Sequence, residues 1–149
     1  MVDEAKVRSI FTRLERYTAH LHELAGEPKE TFLTNFRSIG SAKYYLQIAV
    51  ECCIDACNHI IARKGWRAPD NYSDSFVILA EQGVIPESFL PTARAMVGFR
   101  NRIVHLYWEI TDAKVYEILQ TDLGDFDRFA DWITSFVAGE TGGERHALP

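Results

Sequence analysis

The sequence predicts an all-α bundle of about five helices. Apolar residues recur at three- and four-residue spacing along most of the chain. No strand-length alternating run with hairpin signals occurs, and there is no internal repeat. Glycine- and proline-bearing breakers divide the periodic stretches into helix-length pieces.

The first stripe, Val7, Ile10, Phe11, Leu14, Tyr17, Leu21 and Leu24, predicts a helix over about Asp3 to Leu24, ended by Gly26-Glu27-Pro28. A second helix is expected after Gly40-Ser41 and runs to about Lys64. Tyr45, Leu46, Ala49, Val50, Cys53, Ile54, Cys57, Ile60 and Ile61 line its broad apolar face. Thr31 to Ile39 reads either as a separate turn of helix or as the first segment of that helix. Gly65 to Asn71 is a loop by its breakers, and a short helix follows over Ser73 to Gln82, closed by Gly83. Pro86-Glu87 suits the first turn of the next helix, where the missing amide costs nothing. That helix carries Phe89, Leu90, Ala93, Met96, Val97 and Val104 and leads into Arg100 to Trp108, which also reads as helical. Thr111-Asp112-Ala113 is an N-cap region. A last helix or helix pair covers about Lys114 to Val137, interrupted near Asp122-Leu123-Gly124. The expected organisation is one domain over residues 1–138 and a polar, glycine-rich, flexible tail over 139–149.

A chain of 149 residues with 47% hydrophobic and 25% charged residues can bury the core of one domain. Its net charge of -5 excludes a bulk polyanion binder, so any contact with nucleic acid needs a local positive patch. The N-terminal stretch lacks the apolar centre of a signal peptide, and no apolar run approaches the roughly 20 residues of a membrane span. Cys52, Cys53 and Cys57 are odd in number and sit in an apolar helical stretch. They read as reduced, buried thiols of a cytoplasmic protein; a zinc set would need a second ligand cluster, which is missing.

Chemistry concentrates in Arg100-Asn101-Arg102-Ile103-Val104-His105-Leu106-Tyr107-Trp108. A permanently charged guanidinium, an imidazole and a phenol side by side suit phosphate chemistry, and no acidic residue lies between Arg94 and Glu109 to neutralise them. The bland reading is a solvated helix face with His105 incidental. His20 and His22, two apart on the first helix, read as surface residues. Arg63, Lys64 and Arg67 are expected from the helix dipole alone. Asp55 and Asn58 are polar residues in an apolar helix; they face solvent or pair with a group such as Arg100 or His105.

The string Arg100-Asn101-x-x-x-His105 resembles the signature of the HEPN superfamily, and Tyr107 two residues past the histidine resembles the HepT-type toxins of HepT–MntA systems. Similar order and spacing extend through Tyr45 to Glu51, Asp55 to Ile61, Tyr72-Ser73-Asp74, Gly98 to Arg102 and Val115 to Leu119, so the likeness covers about Arg8 to Phe136. Lys43-Tyr44 departs from it, because relatives often carry a Glu-Arg pair there. The resemblance implies a metal-independent RNase toxin of a type VII-like toxin–antitoxin system, needing no cofactor. Arg100 and His105 would be the catalytic pair, with Asn101 and Arg102 in support and Asp55 as the acidic residue kept near the site. Tyr107 would be the residue to which an MntA-type nucleotidyltransferase antitoxin adds AMP. The alternative is a HEPN module that binds nucleotide or a nucleotidyltransferase without cleaving RNA.

Geometry adds a constraint of its own. On an ideal helix, Arg100 and His105 lie about 140° apart. Asn101 and His105 share a face, and Arg100 and Tyr107 fall on nearly one line. A working site therefore needs the long Arg100 side chain to bend round, or a local irregularity, or a second subunit; a homodimer with the motif-bearing helices facing each other would bring two arginines and two histidines into one cleft.

Overall fold

The computed structural model describes the backbone of residues 2–147 and the side chains of residues 2–140. Among these, seven α-helices and two short 3-10 turns form the chain, with no strand. The all-α reading holds; the count exceeds five because a short helix precedes the second long one and the C-terminal stretch is a pair.

Helix α1 spans Glu4–Ala25 and is capped by the Asp3 carboxylate, which accepts from the Lys6 amide. Its predicted stripe is the buried one: Val7, Ile10, Leu14 and Leu21 are core residues. Helix α2, Lys29–Leu33, is one turn that seats Phe32 in the core.

Helix α3, Phe36–Lys64, begins before Gly40-Ser41, so the Thr31 to Ile39 stretch is divided between the separate turn α2 and the first segment of α3. Asn35 is the reason: its side-chain oxygen accepts from the amides of Arg37 and Ser38, satisfying the first turn. Gly40 consequently lies inside the helix, costing roughly 1 kcal/mol relative to alanine. The helix ends at Gly65, whose φ of 68° is the left-handed cap that glycine adopts without strain.

α3 is the axis of the bundle and packs against α1, α2, α4, α5, α6 and α7. This explains its broad apolar face, from Leu46 through Ile61, and the burial of all three cysteines. Burial pushes the Cys52 thiol up to about 11 and raises Cys53 and Cys57 well above the ordinary range.

Helix α4, Tyr72–Glu81, is capped by Asn71 and closes near Gly83, which has φ 74°. Pro86 precedes a 3-10 turn, Glu87–Phe89, which feeds α5, Leu90–His105, with Pro91 in its first turn. α5 then stops. Leu106 adopts φ -139° and ψ 44°, and residues Tyr107–Glu109 form the second 3-10 turn. Arg100 to Trp108 is therefore not one continuous helix, and Arg100 and Tyr107 do not share a line. No glycine or proline marks this break. The chain turns there because Ile110 is buried and Thr111 caps the next helix through its hydroxyl.

Helix α6 spans Asp112–Thr121 and α7 spans Gly124–Ala147. α7 supplies Phe126, Phe129, Ile133 and Val137 to the core. Its helical backbone continues past residue 138, where the tail was expected to begin; residues 148 and 149 lie outside the described residues. No helix among the described residues is long and apolar enough to cross a membrane.

Candidate active site

The motif occupies the last turns of α5, at the edge of the bundle. Phe99 is buried and fixes the helix's rotation on α3, so Arg100 comes off beside the core. Its guanidinium is held on three sides. Nε and Nη2 donate to Glu51 Oε1 at 3.2 and 3.1 Å, and Nη1 donates to Asn101 Oδ1 at 3.2 Å. Its carbon lies 5.1 Å from the centre of the Tyr72 ring, a cation–π contact. Glu51 is steadied by the Gln47 amide at 3.1 Å, one turn earlier on α3. The Arg100 side chain is only 15% exposed and that of Glu51 is 32% exposed, so the pair is partly shielded from water and salt.

This corrects two expectations. The arginine of the motif is not uncompensated: its counter-charge comes from α3, 49 residues earlier in the chain. The carboxylate on Arg100 is that of Glu51, not Asp55. Asp55 lies one turn further along α3; desolvation raises its carboxyl above its ordinary value, Arg13 on α1 opposes the rise and Glu51 adds to it. Asn58 does not pair with the motif either, since its Oδ1 accepts from the buried Ser75 hydroxyl at 2.7 Å.

Glu51 was legible in the sequence only as part of the matched string. An i, i+4 reading from Gln47 to Glu51 to Asp55 places all three on one face of α3, but nothing local says which carboxylate meets α5.

His105 ends α5, exposed, and has no hydrogen-bond or ion-pair partner among the described residues. Arg100 and His105 sit in one regular helix, so the offset of about 140° applies to the observed structure. Asn101 bridges the two positions: it touches Arg100 and is one turn before His105 on the same face.

Arg102 points elsewhere, lining a cleft of about 740 Å³ between α5 and α6 with Phe99, Ile110, Lys114 and others. Tyr107 stands on the 3-10 turn, 63% exposed, edge-on to the Trp108 ring at 5.6 Å. With Val104, Leu106 and Trp108 it forms a run of exposed apolar side chains at the end of α5. Lys43, where the sequence departs from the HEPN pattern, pairs with Asp112 in the first turn of α6 at 3.4 Å. His22 is exposed as expected, while His20 is half-buried and stacks on Tyr45 at 4.8 Å. Among the described residues, no group of three or more His, Cys, Asp or Glu side chains is placed to hold a metal ion.

An all-α bundle that fixes an arginine and an asparagine beside α3 and leaves a histidine open one turn later is a HEPN-type architecture. The chain belongs to the Ribonuclease HepT-like family, whose profile matches residues 14–133. It is 32% identical to the mRNA nuclease HepT of Shewanella oneidensis over 120 residues, covering 80% of this chain and 90% of that protein. It is 25% identical to the tRNA nuclease HepT of Aphanizomenon flos-aquae over 132 residues, covering 86% of this chain and 89% of that one. Among solved structures it resembles the tri-AMPylated Shewanella oneidensis HEPN toxin in complex with its MNT antitoxin. The TM-score is 0.80 at 29% identity, over 87% of this chain and 96% of that one.

Proposed function

We propose that this chain is an endoribonuclease toxin that cleaves RNA without a metal, through Arg100 and His105, and is silenced by AMP addition to Tyr107. The observation that carries the reading is the three-sided hold on Arg100 with an unpartnered His105 one turn beyond it. Membership of the ribonuclease family, and nuclease relatives of nearly equal length, supply the substrate class.

The chemistry needs no nucleophile from the protein, because RNA brings its 2′-hydroxyl. Imidazole at His105 takes the hydroxyl proton as the oxygen attacks phosphorus. The P–O5′ bond breaks, and an imidazolium returns a proton to the departing oxygen. The products are a 2′,3′-cyclic phosphate and a 5′-hydroxyl. Arg100 stabilises the extra charge on the phosphorane-like state; glutamate and asparagine occupy three of its five N–H donors and leave two for phosphate oxygens.

The helical offset favours a second copy of the chain as the source of the imidazole that works with each Arg100. The exposed run of Val104, Leu106, Tyr107 and Trp108 beside the motif is the surface through which a twofold dimer would form. Regulation follows from position. Tyr107 is open to a transferase two residues past His105, and AMP attached there adds bulk and negative charge beside a phosphate site. The partner is an MntA-type nucleotidyltransferase, in keeping with the MNT antitoxin in complex with the Shewanella toxin, and the chain acts in the cytoplasm, where its RNA substrate is found.

The test is cleavage of single-stranded RNA by the purified chain in the presence of a chelator, with His105→Ala as control. We expect cyclic-phosphate ends from the wild type and none from the variant. Cleavage that survives His105→Ala, or that stops when metal is removed, refutes the reading. Incubation with the transferase and ATP should modify the wild type and leave Tyr107→Phe unmodified by mass spectrometry.

A further inference from the structure

Tyr72 has entered so far only as one wall of the arginine site, and nothing in the cleavage chemistry uses its ring. It is the first residue of α4 and is 44% exposed, although its ring lies against the Arg100 guanidinium. The segment that presents it is tied down more heavily than a surface loop requires. Arg67 forks onto Asp74 with bonds of 2.7 and 2.9 Å and also reaches Glu81 at 3.0 and 3.2 Å. The Asp74 carboxylate accepts from the Asp70 amide at 2.9 Å, and the Asp74 amide donates to the Asn71 side chain at 2.8 Å. One residue past Asp74, Ser75 is bonded to Asn58 of α3. Asp70, Asn71, Asp74 and Ser75, on both sides of Tyr72, are thus tied by bonds that involve side chains, and what this rigidity holds in place is an open aromatic ring beside a cation with spare donors.

Single-stranded RNA is bound by such pairs: a cation takes the phosphate, and an aromatic face takes the neighbouring base. The geometry points to Tyr72 as a substrate-binding residue whose ring stacks a base adjacent to the phosphate held by Arg100, with Arg67, Asp74 and Asn71 as the residues that position it. The inference rests on the ribonuclease reading for its substrate. A pocket built this way grips a base by its π-face rather than by its hydrogen-bonding edge, so it selects unpaired RNA and favours purines, which stack over more area. A duplex, whose bases are already stacked, is excluded.

Two variants separate base binding from packing. Tyr72→Phe keeps the ring and Tyr72→Leu keeps apolar bulk without it. The binding probe is an uncleavable 2′-O-methyl RNA oligonucleotide carrying 2-aminopurine, whose fluorescence falls on stacking. The kinetic probe is a random-sequence single-stranded RNA pool, sequenced at its cleaved ends. Wild type and Tyr72→Phe should quench the fluorophore and share one base preference beside the cut. Tyr72→Leu should lose the quenching, raise KM about tenfold with a smaller change in kcat, and flatten that preference. Arg67→Ala should move in the same direction with the ring intact.

Tyr72→Leu with wild-type quenching and preference overturns the proposal. So does a loss explained by a lowered melting temperature or by a shifted monomer–dimer balance in sedimentation, which would make the ring a packing or subunit contact. Failure of the ribonuclease reading shows differently, as a wild-type chain that cuts no RNA. The quenching experiment still decides the role of Tyr72 in that case.

Discussion

Replacing Glu51 with alanine removes the only carboxylate among the described residues that the structure places on Arg100, and its effect can be estimated from the geometry. Two N–H groups lose a shared acceptor, and a guanidinium that is only 15% exposed is left beside the core with Asn101 and a ring face. A fully exposed pair would be worth about 0.2–1 kcal/mol, and hydrogen bonds to a charged group about 1.5–3 kcal/mol. Partial exposure of Glu51 places this pair between those limits, at about 1–2 kcal/mol. With an unfolding entropy of roughly 2.1 cal/mol/K per residue, a chain of this length has about 0.3 kcal/mol/K in total, so the melting temperature should fall by about 3–6 °C.

The decisive assay is a double-mutant cycle of Glu51→Ala and Arg100→Met by urea unfolding, which isolates the pairwise part from the loss of either side chain alone. We expect a coupling of about 1–2 kcal/mol that largely survives 1 M salt, because a shielded pair is screened little. Turnover of RNA by Glu51→Ala should drop while affinity for RNA rises, since the freed arginine is a stronger but less well-aimed phosphate ligand. Coupling within about 0.3 kcal/mol of zero would show that the contact contributes nothing and that Arg100 is positioned by something else.

Asp74 gives a pH signature. Its bonds from Arg67, followed by the Asp70 amide, hold its carboxyl down at about 2 against an ordinary 3.8. A carboxyl depressed on folding stabilises the native state above its unfolded value and loses that contribution as pH falls through the folded one. Asp74→Asn should therefore melt below the wild type at neutral pH, and the gap should close between about pH 4 and pH 2. A gap that stays constant across that window would show that the clamp is not electrostatic.

The three cysteines should resist iodoacetamide at pH 8 in the native protein and react fully on unfolding, because burial keeps the thiolate form out of reach. Labelling of the folded chain would contradict their packing. Asn35→Ala should cost about 1 kcal/mol through the lost cap of α3, measured as a shift of the urea midpoint at unchanged slope. An unshifted midpoint would mean that the helix start is held by packing of Phe32 and Ser38 instead.

What the sequence determined by itself is whatever depends on neighbours within a turn or two. The apolar stripes of α1 and α3 and the broad face of the central helix are set by periodicity, because 3.6 residues per turn maps spacing directly onto a face. The same arithmetic separated Arg100 from His105 by about 140°. The Arg-Asn-x-x-x-His string and Tyr107 were visible as types of side chain, and so was the ribonuclease likeness they carry.

Local rules failed where the competing interaction was short but unrecognised, or distant in the chain. Asn35 outweighed Gly40 at the start of α3, since a cap that satisfies two amides fixes a helix end more firmly than one glycine loosens its interior. The break after His105 has no breaker residue; burial of Ile110 imposes it from the far side of the turn.

Only the tertiary structure chose Glu51 over Asp55. The two are one turn apart on the same face, with the same charge and nearly the same reach. Which one meets Arg100 depends on how far α5 is displaced along α3, a shift of about 6 Å, one helical turn. That displacement is fixed by the seating of Phe99, Met96 and Val97 in the core. No side chain near either carboxylate in sequence carries that information.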